Sequence, residues 1–201
     1  MKHWILPAVI VVAMVVAAPF AAAADTWQID PVHTTVEFTV RHMMISNVKG
    51  EFTKLSGTIT AKDHDPASVQ INVSIDAASI DTRSAVRDAD LKSANFLDVA
   101  KYPTIIFKSK KIEAAGTDKW KIVGDLTIHG VTKEVTLDVR GPTPPIKDPW
   151  GNKRVGASAT TKINRKDFGL TWNKVLETGG AVVGDEVAIS IEVEATEVVK
   201  K

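Results

Sequence analysis

Apolar and polar residues alternate along most of this chain with a period of two. Trp120, Ile122, Gly124, Leu126 and Ile128 share one parity, while Lys121, Asp125 and Thr127 take the other, with Val123 the lapse. The pattern returns at Val135, Leu137 and Val139, at Val155, Ala157 and Ala159, and at Val187, Ile189, Ile191 and Val193. Such alternation predicts strands with one dry and one wet face. Further strands are expected at 27–29, at 34–41 with Val36, Phe38 and Val40 inward, and at 52–60 around Gly57. Residues 68–76 follow with Val69, Ile71, Val73 and Ile75, then 104–112 with Ile105 and Phe107. Residues 120–128, 131–140, 154–164 and 186–195 complete eight or nine strands.

The breaks between strands are equally readable. Residues 42–45 are apolar without alternation and predict one helical turn. Residues 63–66, Asp-His-Asp-Pro, are a loop, and His129-Gly130 is a tight hairpin. Four prolines between Gly141 and Gly151 exclude a central strand there. One helix is expected at 85–97, capped by Thr82 or Ser84 and ended by Tyr102-Pro103. Dry faces must meet, so an all-β antiparallel barrel or sandwich with one short helical insertion follows.

Whether the interior is filled or hollow is left open by the pattern. Gly124, Ala157, Ala159, Thr161 and Ser109 stand at dry-face positions beside Phe38, Phe107 and Trp120. They read either as unfilled volume or as large-against-small packing. A hollow, uncharged interior selects an aliphatic guest. Burying about ten methylenes at ~0.8 kcal/mol each supplies ~8 kcal/mol, on the order of micromolar affinity before association costs.

Composition narrows the class. Lys2 and His3 precede an apolar run from Trp4 to Ala18, and Ala22-Ala23-Ala24 offers a small-residue cleavage site before Asp25. That is a secretory signal peptide over 1–24, followed by one domain over 25–201. A retained anchor is the competing reading, and the alanine-rich end of the run favours cleavage. Removing Lys2 leaves 24 basic and 24 acidic side chains, which argues against a nucleic-acid partner. Cysteine is absent, so an exported chain stands on its apolar core without disulfides. The charged strand faces and a single tyrosine argue against an outer-membrane barrel.

Catalytic chemistry finds little footing. There is no cysteine nucleophile, no G-x-S-x-G serine and no glycine-rich phosphate loop. His33, His42, His64 and His129 show no spacing typical of a zinc site. Arg83, Arg87 and Lys92 surround the expected helix and suit a diphosphate head group. The neighbouring Asp81, Asp88 and Asp90 suit a salt-bridged surface helix equally. Asp148-Pro149-Trp150-Gly151 is a turn that either rims a barrel mouth or plugs it.

Six segments carry a resemblance: DPVHTTVEFTVRHMM, VKGEFTKLSGTI, SIDTRSAVRDADLKSANFLDVAKYPTIIFKS, VGDLTIHGVTKEVTLDV, DPWGNKRVG and INRKDFGL. In this order, over residues 25–195, they resemble the YceI-like family. The resemblance implies an extended, eight-stranded, lipocalin-like antiparallel barrel exported to the bacterial periplasm. It also implies a polyisoprenoid chain or isoprenoid quinone held in an internal tunnel, and frequent homodimers. Carriage, storage or stress response are the roles it brings. With so little catalytic footing, the reading is a binding protein without other cofactor; the alternatives are a filled barrel that works through its surface and an enzyme acting on a lipid or quinone. The tunnel would be lined by Val36, Phe38, Val40, Val69, Ile71, Val73, Ile105, Phe107 and Trp120. Ile122, Leu126, Leu137, Val139, Ala157, Ala159, Ile189 and Ile191 complete the lining. One departure is Asp90, where the family often has histidine.

Overall fold

The computed structural model describes residues 25–62, 65, 68–177 and 179–199. The predicted leader and His64 fall outside these residues. Among the described residues the chain forms twelve strands and one α-helix. The strands are β1 (Asp25–Ile29), β2 (Thr35–His42), β3 (Ser46–Phe52), β4 (Leu55–Ala61), β5 (Gln70–Asp76) and β6 (Ile80–Asp81). They continue as β7 (Thr104–Gly116), β8 (Lys119–Ile128), β9 (Val131–Arg140), β10 (Ile146–Lys147), β11 (Lys153–Asn164) and β12 (Val183–Glu197). Helix α1 spans Ala85–Lys92.

Every strand pairing is antiparallel, and the β11–β12 pairing closes the sheet into a barrel. Twelve strands make eight barrel positions because four of those positions are broken, one of them where β10 continues β9 along the edge of β11. One edge of β12 carries β2 beside residues 183–192 and β1 beside residues 195–197. β3 continues β4, and β6 continues β5, in the same way. The breaks explain why the reading of 52–60 as one strand fails. The ladder stops at Phe52, and Lys54 turns its N–H to the Ser79 hydroxyl at 3.1 Å before β4 begins.

Tight turns join the ladders. His129 and Gly130 have φ of 52° and 75°, the left-handed pair that matches strand twist in a two-residue hairpin. Residues 43–45 are a turn and not the expected helical one, since Met43 and Met44 both have positive φ. Helix α1 is also shorter than its pattern. Ser84 caps it by accepting from the Arg87 N–H, and it ends at Lys92, well before Tyr102-Pro103. Thr82 is buried instead and donates its hydroxyl to Asp88 at 2.6 Å.

The deepest packing lies at one end of the barrel. Ile75, Ile80, Leu97, Ile105, Phe107, Ile122, Leu126, Ile128 and Phe168 form one buried cluster. Two segments outside the sheet complete it: 93–101 supplies Leu97, and the 3-10 turn at Arg165–Phe168 supplies Phe168. Each such side chain contributes roughly 1.5–3 kcal/mol by leaving water.

Candidate functional site

The inward parity predicted from sequence is the one observed, yet its two walls are packed differently. On β7 and β8, Ile105, Phe107, Ile122 and Leu126 are each under 10 % exposed. On β2 and β9, Val36, Phe38, Val135, Leu137 and Val139 lie against that cluster but are only half-buried. Ile189 and Ile191 of β12, paired with Phe38 and Val36, are half-buried as well. So are Val40, Ile71, Val73 and Trp120, as is Val69 just ahead of β5. Trp120 is fixed by donating its indole N–H to the Gly141 carbonyl at 2.8 Å.

The small dry-face residues divide into distinct cases. A Cβ on Gly124 would sit 2.5 Å from the Phe107 ring, so that glycine is filled by its neighbour. Ser109 stands at a bulge and accepts the Ile71 N–H at 2.8 Å, replacing a ladder bond. Thr161 donates to the Thr136 carbonyl at 2.8 Å beside a seam where β9 and β11 share only three residue pairs. Ala159 is buried, and Ala157 lies against Gly141. Large-against-small packing therefore accounts for Gly124 and hydrogen bonding for Ser109 and Thr161.

Of the three cations proposed for a head group, Arg87 has its guanidinium engaged locally. Arg87 donates Nε to the Thr82 hydroxyl at 2.8 Å and Nη2 to the Thr82 carbonyl at 2.7 Å. Arg83 has a positive φ of 63° and gives its backbone N–H to Asp81. Lys92 is half-buried in the last turn of α1. Asp90 accepts from Asn95 at 3.2 Å and caps the local turn. These contacts hold the insertion together.

Two arginines absent from the sequence-level site matter more to the architecture. Arg165 is 3 % exposed and donates to the carbonyls of Gly184, Leu170, Trp172 and Val183, with Asp185 3.3 Å away. Burial pushes its guanidinium below the ordinary arginine value. Arg154 bridges Asp30 at 2.7 Å, Asp148 at 2.8 Å, and Glu194. Hydrogen bonds from His33 and then Arg154 hold the Asp30 carboxyl well below the usual range. At Asp148, burial pushes upward, but Arg154, Asn152 and two backbone N–H groups prevail and lower it. No periodicity signals either arginine.

Among the described residues, Asp30, His33 and Glu194 bring ligand-type atoms within 4.8 Å of one another. Sequence spacing missed this group because Glu194 is remote in the chain. Arg154 already supplies the cation there, so the arrangement is an ion-pair network. It ties the corner between β1 and β2 to β11, β12 and the proline-rich loop. Trp150 in that loop is 80 % exposed, so it does not plug the barrel.

Concave surface also exists outside the barrel. A groove of about 540 Å³ crosses β2, β12, β11 and β9 and is lined mainly by outward residues, among them Glu37, Thr39, Asp138, Lys162 and Ser190. Its charged walls do not suit an aliphatic guest. No helix among the described residues is long and apolar enough to cross a membrane.

Known proteins share both sequence and shape with this chain. Protein YceI of Escherichia coli O157:H7 is 40 % identical over 176 residues, covering 86 % of this chain and 87 % of that one. The crystal structure of BcnA from Burkholderia cenocepacia superposes with a TM-score of 0.71 at 24 % identity, covering 84 % of this chain and 99 % of that one. A polyisoprenoid binding domain from Saccharophagus degradans gives 0.62 at 16 % identity, covering 85 % and 97 %. These two share the fold. The YceI-like domain model matches residues 27–195, and the chain belongs to the YceI-like family.

Proposed function

We propose that this protein is an exported binding protein that holds an isoprenoid lipid inside its barrel and performs no chemistry on it. The observation that carries the reading is the uneven interior. Val36, Phe38, Leu137, Val139, Ile189 and Ile191 of β2, β9 and β12 keep part of their surface accessible, while Ile105, Phe107, Ile122 and Leu126 of β7 and β8 do not. A polyprenyl tail fits that half-covered wall, because its methyl-branched hydrocarbon needs apolar contact and few hydrogen bonds. The Saccharophagus degradans domain of the same fold is named for binding polyisoprenoids, which supports the ligand class. The absence of chemistry is supported by Arg165. Its buried guanidinium is consumed by backbone carbonyls, and the similarly covered Asp148 carboxylate is consumed by Arg154 and Asn152.

In this reading residues 1–24 direct export and are removed before Asp25, and the mature chain works in the periplasm as a carrier or store. Native mass spectrometry of protein purified without detergent should reveal a co-purifying isoprenoid. Leu137→Trp and Ile191→Phe, placed where inward side chains have room, should each remove at least about nine-tenths of that lipid with the fold intact. Unchanged lipid content in both would reject the lumen as the site. Turnover of a bound quinone would reject the non-catalytic half of the reading.

A further inference from the structure

Two loops stand side by side at one end of the molecule, and both expose apolar side chains. The turn between β2 and β3 presents Met43, Met44 and Ile45 at 40 %, 42 % and 76 % exposure. The neighbouring loop presents Val175 at 86 % exposure, opposite Ala181 in an isolated antiparallel bridge. They are joined: the Met43 N–H donates to the Val182 carbonyl at 2.7 Å. A Cβ on Gly180 would lie 3.3 Å from Met44 Cγ.

The backbone makes the choice of residues notable. Both central residues of the turn closed by Ile45 N–H to the His42 carbonyl have positive φ, 48° at Met43 and 62° at Met44. Asn-Gly or Gly-Gly adopts that conformation readily; methionine adopts it at a cost in stability. The protein covers a little more than half of each thioether chain and leaves the rest, with most of Ile45, for an external surface to cover.

The charge nearby says what kind of surface. Lys166 pairs with Asp185, and Lys162 with Glu186, each at 2.8 Å. Arg41, Lys49 and Lys174 are exposed around the two tips, against Glu177 as their acidic neighbour. Beside Met44 a groove of about 600 Å³ includes Arg41, Asn47, Lys166 and Asn173. An apolar crest ringed by excess cations matches an anionic bilayer, with methionine and isoleucine in the acyl boundary and arginine and lysine at the phosphates. Inward residues Phe38 and Val40 of β2 lead from the interior toward the turn.

We propose that the 43–45 turn and the neighbouring loop residues 174–177 and 179–182 are a membrane-docking platform that seats on anionic lipid while a tail passes to or from the barrel. The purpose assigned here rests on the lipid-binding reading; the docking itself does not.

The test uses protein purified from the periplasm of cells expressing the whole chain. Flotation is measured with vesicles of phosphatidylethanolamine and phosphatidylglycerol, and with vesicles of phosphatidylcholine alone. The parent should float with the anionic vesicles, and less so with neutral ones or in high salt. M43N/M44G should bind anionic vesicles about tenfold more weakly while melting at the same or a higher temperature. I45T/V175T, which leaves the turn backbone alone, should weaken binding in the same direction. Parent-like flotation by both variants, or no flotation by the parent, overturns the platform. A lowered melting temperature in M43N/M44G overturns the argument from backbone cost. A self-associated parent that M43N/M44G makes monomeric, without vesicle binding, replaces the bilayer with a second copy. Uptake of detergent-solubilised isoprenoid quinone is followed separately and should be equal in all three proteins. If none takes it up while the parent still floats, the lumen reading fails and the platform stands.

Discussion

The β7–β8 wall and the β2–β9–β12 wall carry the same alternation, yet they end in different states. Ile105, Phe107, Ile122 and Leu126 are covered, whereas Val36, Phe38, Leu137 and Ile191 are not fully so. The filling accounts for the difference. Leu97 and Phe168, from two segments that are not strands, belong to the buried cluster with β7 and β8. Phe96 of the first segment meets Trp172 beyond the second at a ring separation of 5.1 Å. A dry face thus records orientation, and burial depends on what reaches across.

Removing the filler should do the most damage. Arg165 pins the 165–184 segment through carbonyls on both of its flanks. Arg165→Ala leaves several buried acceptors without donors, and denaturant titration should show a loss of about 3–5 kcal/mol. A loss below about 1 kcal/mol would mean that the segment packs without its clamp.

The walls can be compared directly with one residue type. Leu126→Ala, on the covered wall, should cost about 2–5 kcal/mol, and Leu137→Ala, on the open wall, about half as much. Equal costs would erase the contrast between the walls. Lipid binding should respond in the opposite order, with Leu137→Ala the more affected.

Filling a space already occupied should cost less but remain measurable. Gly124→Ala drives a methyl into the Phe107 ring and to 2.6 Å from the Lys108 carbonyl, for a loss of about 1–3 kcal/mol. A neutral outcome would show that Phe107 has room to retreat into the interior.

The smallest effect concerns pH. Asp30 and Asp148 have folded-state values below their unfolded ones, so their contribution is complete above the unfolded carboxylate value of about 4. It is lost as pH falls toward the depressed values. Arg154→Met should lower stability at neutral pH and flatten its decline between about pH 4 and pH 2. Chemical denaturation at several acidic pH values reads this slope. An unchanged slope would remove Arg154 from the network's pH response.

Much of the fold was readable because each strand carries its own evidence of facing. Strand order parity, the His129-Gly130 hairpin and the proline-rich loop all follow from residues a few positions apart. The helix was overextended because Val86, Ala89, Leu91 and Ala94 continue a helical spacing that the turns after Lys92 interrupt. The 43–45 turn was misread because two methionines carry no turn signal, and their left-handed backbone is set by the strands they join.

By itself the sequence determined the all-β antiparallel sheet, the inward parity of its strands and the resemblance to a family of barrels. Local sterics and a two-residue repeat are enough for that. The tertiary structure alone decided that Phe107 fills Gly124, that Arg154 gathers Asp30, Asp148 and Glu194, and that one wall is covered and the other is not. Those outcomes depend on which residues, more than a hundred positions apart in the case of Asp30 and Arg154, come within a few ångströms of each other. No local pattern encodes that distance.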